Sequence, residues 1–221
     1  QVMRVGWRGA DLKLCELTPK AASQHLRLRR GDDEIELDLP LVGEFQALNA
    51  VQAAGLALAT GVSKADVVAA LGRLTGVAGR MQLAGTTPDG APVIVDFAHT
   101  PDGLEKLLRT LRPHTAGRIV LVFGAGGDRD PTKRRPMGAM AAKFADVAIV
   151  TDDNPRSEDP AAISAAVRAG CPDAEEIGDR GAAIRAGIAR LGPGDALVIA
   201  GKGHESGQEI AGRVIPFDDV E

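Results

Sequence analysis

The 221-residue sequence has no tyrosine, one tryptophan and five phenylalanines. Alanine and arginine are abundant, a composition bias that by itself excludes no function. Cysteine is nearly absent. Cys15 and Cys171 stand far apart, fit no metal motif and cannot form a disulfide framework. A reducing cytoplasm is therefore the expected compartment. No apolar run approaches the roughly 18 residues of a membrane span. The opening "QVMRVGWRGADLK" has no apolar signal region and does not begin with Met, so the chain is expected to start within a longer protein. Neither sign of charge dominates: 26 Lys and Arg against 30 Asp and Glu leave −4. That balance gives no reason to expect nucleic acid or a membrane as partner. What remains is a soluble globular chain of one or two domains.

The apolar patterning changes along the chain. Residues 24–40, "QHLRLRRGDDEIELDLP", alternate on both sides of "GDD" and predict a β-hairpin with one buried face; residues 2–17 add a strand or two. From Glu44 the period becomes helical, with Phe45, Leu48, Val51, Leu56 and Ala59 at that spacing and Gly61 as a stop. "SKADVVAALGRL" predicts a second helix, with Ser63 capping it and Asp66 three residues on, as in a capping box. "AGTTPDGAP", residues 84–92, is turn-rich and predicts a domain border. The expected domains are 1–84 and 85–221.

After that border, strands and helices alternate: "PVIVDF", "TPDGLEKLLRTL", "RIVLVF", "PTKRRPMGAMAAKFA", "DVAIVT", "DPAAISAAVRA", "RGAAIRAGIARL", "DALVIAG". Continuous apolar strands alternating with helices predict a mostly parallel sheet covered on both faces, an α/β fold. Ligands of such sheets sit beyond the carboxyl ends of the strands. That rule selects four segments: "DFAHTPD", "GAGGDRD", "DDNPR" and "GKGHE".

Each segment has a chemical and a plainer reading. The glycines at residues 124–127 let backbone N–H groups approach an anion, or simply make a tight turn before a solvated basic helix. The segment is neither a P-loop nor a dinucleotide fingerprint, since Arg129 stands in the third glycine's place. In "DDNPR", Asp152 and Asp153 can hold an ammonium, Arg156 can grip a carboxylate, Asn154 donates and accepts, and Pro155 stiffens the loop. The set complements an amino-acid zwitterion; a helix cap with a surface ion pair is the alternative. "GKGHE" offers Lys202, His204 and Glu205, or a loop of solvated charges. "DFAHTPD" offers Asp96 and His99, or a capping turn with Thr100 at the cap and Pro101 at the first helical position. Four charged loops on one edge make the chemical readings hard to dismiss together.

"VDFAHTPDGLEKLL", "VFGAGGDRDPTKR", "PMGAMAAKFADVAIVTDDNPRSEDP" and "AGKGHE", in this order and spacing, closely resemble the Mur ligase family. The resemblance is to its branch that adds 2,6-diaminopimelate. It extends over "LPLVGEFQALNAVQAAGLALATGV" and "GVAGRMQ", so it covers the chain from about Leu39. It implies that residues 85–221 are a Rossmann-like C-terminal domain. Residues 1–84 would then be the closing helices and small sheet of the family's central ATP-binding domain. It further implies diaminopimelate contacts at Arg129, Asp153, Asn154, Pro155, Arg156, Gly201 and Glu205. Nucleotide contacts are implied at Asn49, Arg80, Asp96, His99, Arg118 and Lys133. ATP and Mg2+ are the implied cofactors, with the magnesium ligands outside these residues. The family's phosphate-binding loop, its modified lysine, its UDP-gripping domain and its last helix find no counterpart in the sequence. The chain is thus expected to be a C-terminal piece, inactive as a ligase by itself.

The implied reaction is ATP-driven addition of meso-diaminopimelate to a UDP-N-acetylmuramoyl dipeptide, through an acyl phosphate, in bacterial cell-wall synthesis. The implied protein is a cytoplasmic monomer that binds small molecules. Two rivals stand beside it: another ligase of the superfamily, which "DDNPR" argues against, and an inactive remnant that binds an amino acid or nucleotide. Val51 and Leu58 are expected to be exposed in residues 1–84, a layer whose partners lie elsewhere.

Overall fold

A computed structural model describes residues 2–221. The chain divides into two compact units, Gln1–Gly76 and Val77–Glu221; the border expected at 84/85 falls inside a strand of the second.

The first unit is a four-stranded sheet covered by two helices. β1 (Val5–Gly6) pairs parallel with β2 (Leu12–Lys20); β2, β3 (Ser23–Arg30) and β4 (Asp33–Leu39) follow antiparallel. The hairpin expected around "GDD" is the β3–β4 pair. Leu12, Leu14, Leu26, Leu28, Leu37 and Leu39 point to one face, as period-two alternation requires. α1 (Glu44–Ala59) and α2 (Lys64–Leu71) close that face. Ser63 caps α2 by accepting from the Asp66 backbone N–H, and its hydroxyl donates to the Asp66 carboxylate. The buried stripe of α1 is Ala47, Ala50, Val51, Ala54, Gly55 and Leu58. Two expectations are therefore corrected. Val51 and Leu58 are buried in this unit's own core, while Phe45, Leu56 and Ala59 face outward. Small residues let the helix lie close to the leucine-rich sheet, so the large apolar residues are displaced to the other side.

The second unit is built on a six-stranded sheet. In chain order its elements are β5 (Gln82–Thr86), β6 (Pro92–Asp96), α3 (Pro101–Leu111), β7 (Ile119–Phe123) and α4 (Arg134–Phe144). There follow β8 (Val147–Val150), α5 (Pro160–Arg168), β9 (Glu175–Glu176), α6 (Arg180–Ile188) and β10 (Ala196–Ala200). Spatially the order is β5-β6-β10-β7-β8-β9, with β5 antiparallel and every other pair parallel. β7 and β10 are wholly buried, which explains their unbroken apolar sequences. Val120, Val122, Ile149, Leu197 and Ile199 pack on one face against Ala183 of α6; Leu104, Leu107, Leu108 and Leu111 of α3 are buried too. "AGTTPDGAP" is the β5–β6 connection within this sheet, not the border between units. Thr100 caps α3 with Pro101 at its first position, as expected.

A hairpin that the sequence reading missed follows: β11 (Gly207–Ile210) and β12 (Arg213–Pro216), antiparallel. Its turn residues Ala211 and Gly212 have φ of 49° and 74°, as a type I′ connection needs.

Candidate functional site

The parallel order β6-β10-β7-β8 places the ends of "DFAH", "GKGHE", "GAGGDRD" and "DDNPR" side by side on the carboxyl edge. The last two loops are stitched together. The Gly127 backbone N–H donates to the Asn154 carbonyl at 2.9 Å. Ser157 donates to the Asp128 carboxylate from both its backbone and its hydroxyl, and the Asp128 N–H donates to Glu158. A Cβ on Gly127 would stand 2.0 Å from the Pro155 carbonyl oxygen, so this glycine is required for the approach of the two loops. That is a firmer reason for it than a tight turn alone.

Arg156 sits in the left-handed region with φ 52°, which costs a non-glycine residue on the order of 1–3 kcal/mol. The missed hairpin holds it there: the Arg156 N–H donates to the Glu209 carbonyl at 2.9 Å, and the Ala211 N–H donates to the Arg156 carbonyl at 2.7 Å. Its guanidinium Nη1 donates to the Gly127 carbonyl at 2.8 Å, and Nε lies 3.1 Å from the Glu209 carboxylate. Among the described residues Nη2 has no hydrogen-bond partner. With a longer Nη1 bond to the Asn154 carbonyl at 3.4 Å, the fork is fixed by three partners. Glu209 was not found in the sequence reading; the "GQEI–AG–RVIP" alternation was the available signal.

Asn154 is buried and oriented by its neighbours. Its Oδ1 accepts from the Lys202 ammonium at 3.2 Å and the Glu209 N–H at 2.9 Å, and its Nδ2 donates to Glu205 Oε2 at 2.8 Å. Asp153 is 8% exposed, and its Oδ2 has no hydrogen-bond partner. A Cβ on Gly201, whose φ is 123°, would stand 2.4 Å from that oxygen; only glycine leaves it room. Asp152 is half-buried, and burial, then Glu176 and Asp179, push its carboxyl above the usual range. Arg129 is exposed, with one long bond to the Asp128 carbonyl. Pro155 is buried in the loop.

Behind the edge lies a fully buried ion pair absent from the sequence reading. Arg180, at the start of α6, donates to both carboxylate oxygens of Asp219 at 2.6 and 2.8 Å and to the Ala200 carbonyl. Its Nη1 is buried without a partner.

The expected nucleotide residues divide. Asp96 accepts from the Met81 and Ala98 backbone N–H groups at 2.8 Å each, yet burial outweighs both and raises its carboxyl. The Arg80 guanidinium lies over Phe97, 4.9 Å from the ring centre, and His99 meets Phe97 edge-on at 4.7 Å. Lys133 donates to the His99 carbonyl at 2.9 Å, and burial lowers its ammonium despite Asp153 and Asp130. These four share the carboxyl edge. Arg118 does not. It precedes β7 at the amino edge, where its side chain is bound to Asp195 and the Arg190 carbonyl. The sequence expectation for Arg118 is corrected on that ground. Asn49 is exposed on α1, in the first unit.

The carboxyl edge of this parallel α/β sheet thus carries charged loops, a fixed guanidinium fork and an unpartnered buried carboxylate oxygen, at the position where ligands of such sheets gather. Residues 79–203, more than half of the chain, match the family model described as Mur ligase, glutamate ligase domain. The chain belongs to the Mur ligase family. Among curated relatives it is similar to the UDP-N-acetylmuramoyl-L-alanyl-D-glutamate–2,6-diaminopimelate ligases of Caulobacter vibrioides, at 57% identity over 99% of the chain and 45% of that protein, and of Chelativorans sp., at 51% over 100% and 46%. A solved structure of a ligase of the same name superposes with a TM-score of 0.80 at 37% identity, covering 96% of this chain and 44% of that one. UDP-N-acetylmuramate–alanine ligase from Thermotoga maritima, at 22% identity and TM-score 0.63 over 88% of this chain and 43% of that one, shares the fold. The chain spans less than half the length of these relatives.

Proposed function

We propose that this chain is the amino-acid-binding part of an ATP-dependent ligase that joins meso-diaminopimelate to UDP-N-acetylmuramoyl-L-alanyl-D-glutamate in peptidoglycan synthesis. The observation that carries the reading is the pairing, in one loop, of an unpartnered buried carboxylate oxygen on Asp153 with an oriented Arg156 fork whose Nη2 has no partner among the described residues. One end of diaminopimelate is clamped by these groups while the amine of the other end reacts. ATP phosphorylates the D-glutamyl carboxylate, the amine attacks the acyl carbon, and phosphate leaves. The chain contributes by positioning the nucleophile.

Arg156 and the exposed Arg129 supply positive charge for the distal carboxylate. Asp153 and Glu205 supply negative charge for the ammonium beside it. Lysine lacks that carboxylate and leaves the guanidinium unmatched, a difference that a site built for a polar group can turn into about 10⁴-fold rejection. Arg80, Asp96, His99 and Lys133 form the side that meets ATP; Asn49 is proposed for the same role from the first unit. Among the described residues no group of three or more His, Cys, Asp or Glu is placed to hold a metal ion. Among them, too, no helix is long and apolar enough to cross a membrane. Both cysteines are free thiols, which suits a reducing cytoplasm; we propose that the protein works there as a monomer.

Calorimetric titration with meso-diaminopimelate and with L-lysine tests the reading. The chain should bind the first and discriminate strongly against the second. Arg156→Ala should weaken diaminopimelate binding by roughly 2–5 kcal/mol, about one and a half to three and a half decades. Arg156→Lys should recover little, because an ammonium cannot reproduce the fork. An unchanged diaminopimelate-to-lysine ratio in Arg156→Ala would show that "DDNPR" is only a capping loop.

A further inference from the structure

Lys202 has no solvent exposure at all, although it follows β10 on the edge where the ligand is expected. An ammonium has three donors and no acceptor, and all three are used here. Nζ donates to Asn154 Oδ1 at 3.2 Å, to Glu205 Oε2 at 3.2 Å and to the Gly207 carbonyl. Lys202 therefore faces no ligand. It touches the two side chains that would.

The consequences for those side chains follow from donor and acceptor arithmetic. Asn154 Oδ1 faces two groups that can only donate, the Lys202 ammonium and the Glu209 backbone N–H. The amide cannot be turned over without setting NH2 against both donors. Its Nδ2 must then face Glu205 Oε2, as it does at 2.8 Å. That oxygen already receives Lys202, so Glu205 is held through one oxygen and its Oε1 has no partner among the described residues. A short carboxylate-bearing loop is thereby fixed with one acceptor committed and one open. The open one belongs to the same loop edge as the unpartnered Asp153 Oδ2.

We infer that Lys202 is a positioning residue for the amino-acid site: it locks the Asn154 amide and the Glu205 carboxylate so that one open oxygen of Glu205 meets the ligand's ammonium. The inference rests on the proposed amino-acid-binding role of this edge. Removing the ammonium frees the Asn154 amide to rotate and lets Glu205 swing toward solvent, where it is already 38% exposed at the side chain. Displacements near 1 Å in such a constellation cost about 10²-fold.

The test is a double-mutant cycle on diaminopimelate affinity, measured by calorimetry on the chain with Lys202→Met, Glu205→Gln and both together. Met keeps the length of the stem and removes the charge. If Lys202 acts through Glu205, each single change weakens binding by about 10²-fold, and the double variant is no weaker than the worse single. Additive losses, or full affinity in Lys202→Met, overturn the inference. The Asn154 side-chain amide gives a second readout by ¹H–¹⁵N NMR. Its NH2 pair should be well dispersed in the unaltered chain and in Glu205→Gln, and should collapse toward free-asparagine shifts in Lys202→Met. An unmoved Asn154 amide in a folded Lys202→Met also overturns the inference. Should Lys202→Met not fold, the unaltered chain decides: the Lys202 ammonium should give an exchange-protected ¹H–¹⁵N signal, and its absence contradicts the three-acceptor cage. If the unaltered chain binds no diaminopimelate, the functional reading fails, while the amide and ammonium signals still judge the cage separately.

Discussion

The two edges of the six-stranded sheet carry the same residue types and use them differently. At the amino edge, Asp195 accepts from the Arg118 backbone and side chain and from the Gly192 N–H, and Asp146 accepts from Arg112 and the Ile119 N–H. Both Asp195 oxygens are bonded, half-exposed Asp146 is bonded through Oδ2, and the Arg118 guanidinium holds the Asp195 carboxyl down at about 2. Arg190 is the exception there, paired with Glu175 but with a buried Nη1 unpartnered. At the carboxyl edge, Asp153 Oδ2 and Arg180 Nη1 are buried without partners, and Asp128 and Arg156 sit at positive φ. Burial also raises Asp96 and Asp152. Polar groups held buried and unmatched are costly, and in the proposed function a ligand completes this set. The amino edge closes the fold; the carboxyl edge leaves chemistry open.

The largest expected contrast is between two ion pairs. Asp219→Ala strands the buried Arg180 guanidinium and should destabilise the second unit by about 3–5 kcal/mol. Arg118→Ala removes a half-exposed partner from Asp195 and should shift the urea midpoint far less. Comparable losses from both would erase the distinction between the edges.

Gly127→Ala comes next. Its Cβ must displace the Pro155 carbonyl, an overpacking cost of about 1–3 kcal/mol. The site should suffer as well, because the Gly127 carbonyl anchors Arg156. Thermal unfolding and diaminopimelate titration should therefore both register the change; loss of stability with intact affinity would separate the loop stitch from the ligand site.

The smallest effects are in pH dependence, and they have opposite signs at the two edges. Asp195 has a folded pKa of about 2 against 3.8 unfolded. Its contribution is present above 3.8 and is lost as pH falls toward 2. Asp152 has a raised folded value. The folded state then holds its proton more tightly than the unfolded chain, so stability declines as pH rises from 3.8 through the raised value. Accordingly Asp195→Asn should flatten the acid limb of the stability profile, and Asp152→Asn should raise the urea midpoint at neutral pH. A lower midpoint in Asp152→Asn would show that this carboxylate is matched after all.

Much of this contrast was legible in the sequence. Unbroken runs such as "RIVLVF" and "DALVIAG" announce buried parallel strands, and the rule that ligands gather at strand ends then selects the four loops. What escaped depended on partners distant in sequence. Lys202 reads as one more loop charge until its burial beneath Asn154 and Gly207 is seen. Glu209 and Asp219 are unremarkable acids until the hairpin and the final segment bring them to Arg156 and Arg180. Arg118 was implied by the family resemblance alone; its place, one residue before a strand rather than after it, puts it on the other edge. The α1 face was misread because its contact stripe is alanine-rich, and spacing arguments favour large residues such as Phe45 and Leu56.

Within the six-stranded sheet, the proposed ligand chemistry belongs to the carboxyl edge and not to the amino edge. Titration of the ¹⁵N-labelled chain with meso-diaminopimelate, followed by ¹H–¹⁵N NMR, tests it most directly. Shifts should concentrate at residues 126–129, 152–156 and 201–209 and leave residues 112–118 and 190–195 unmoved. Shifts centred on the amino edge, or no shifts at saturating ligand, would contradict the account.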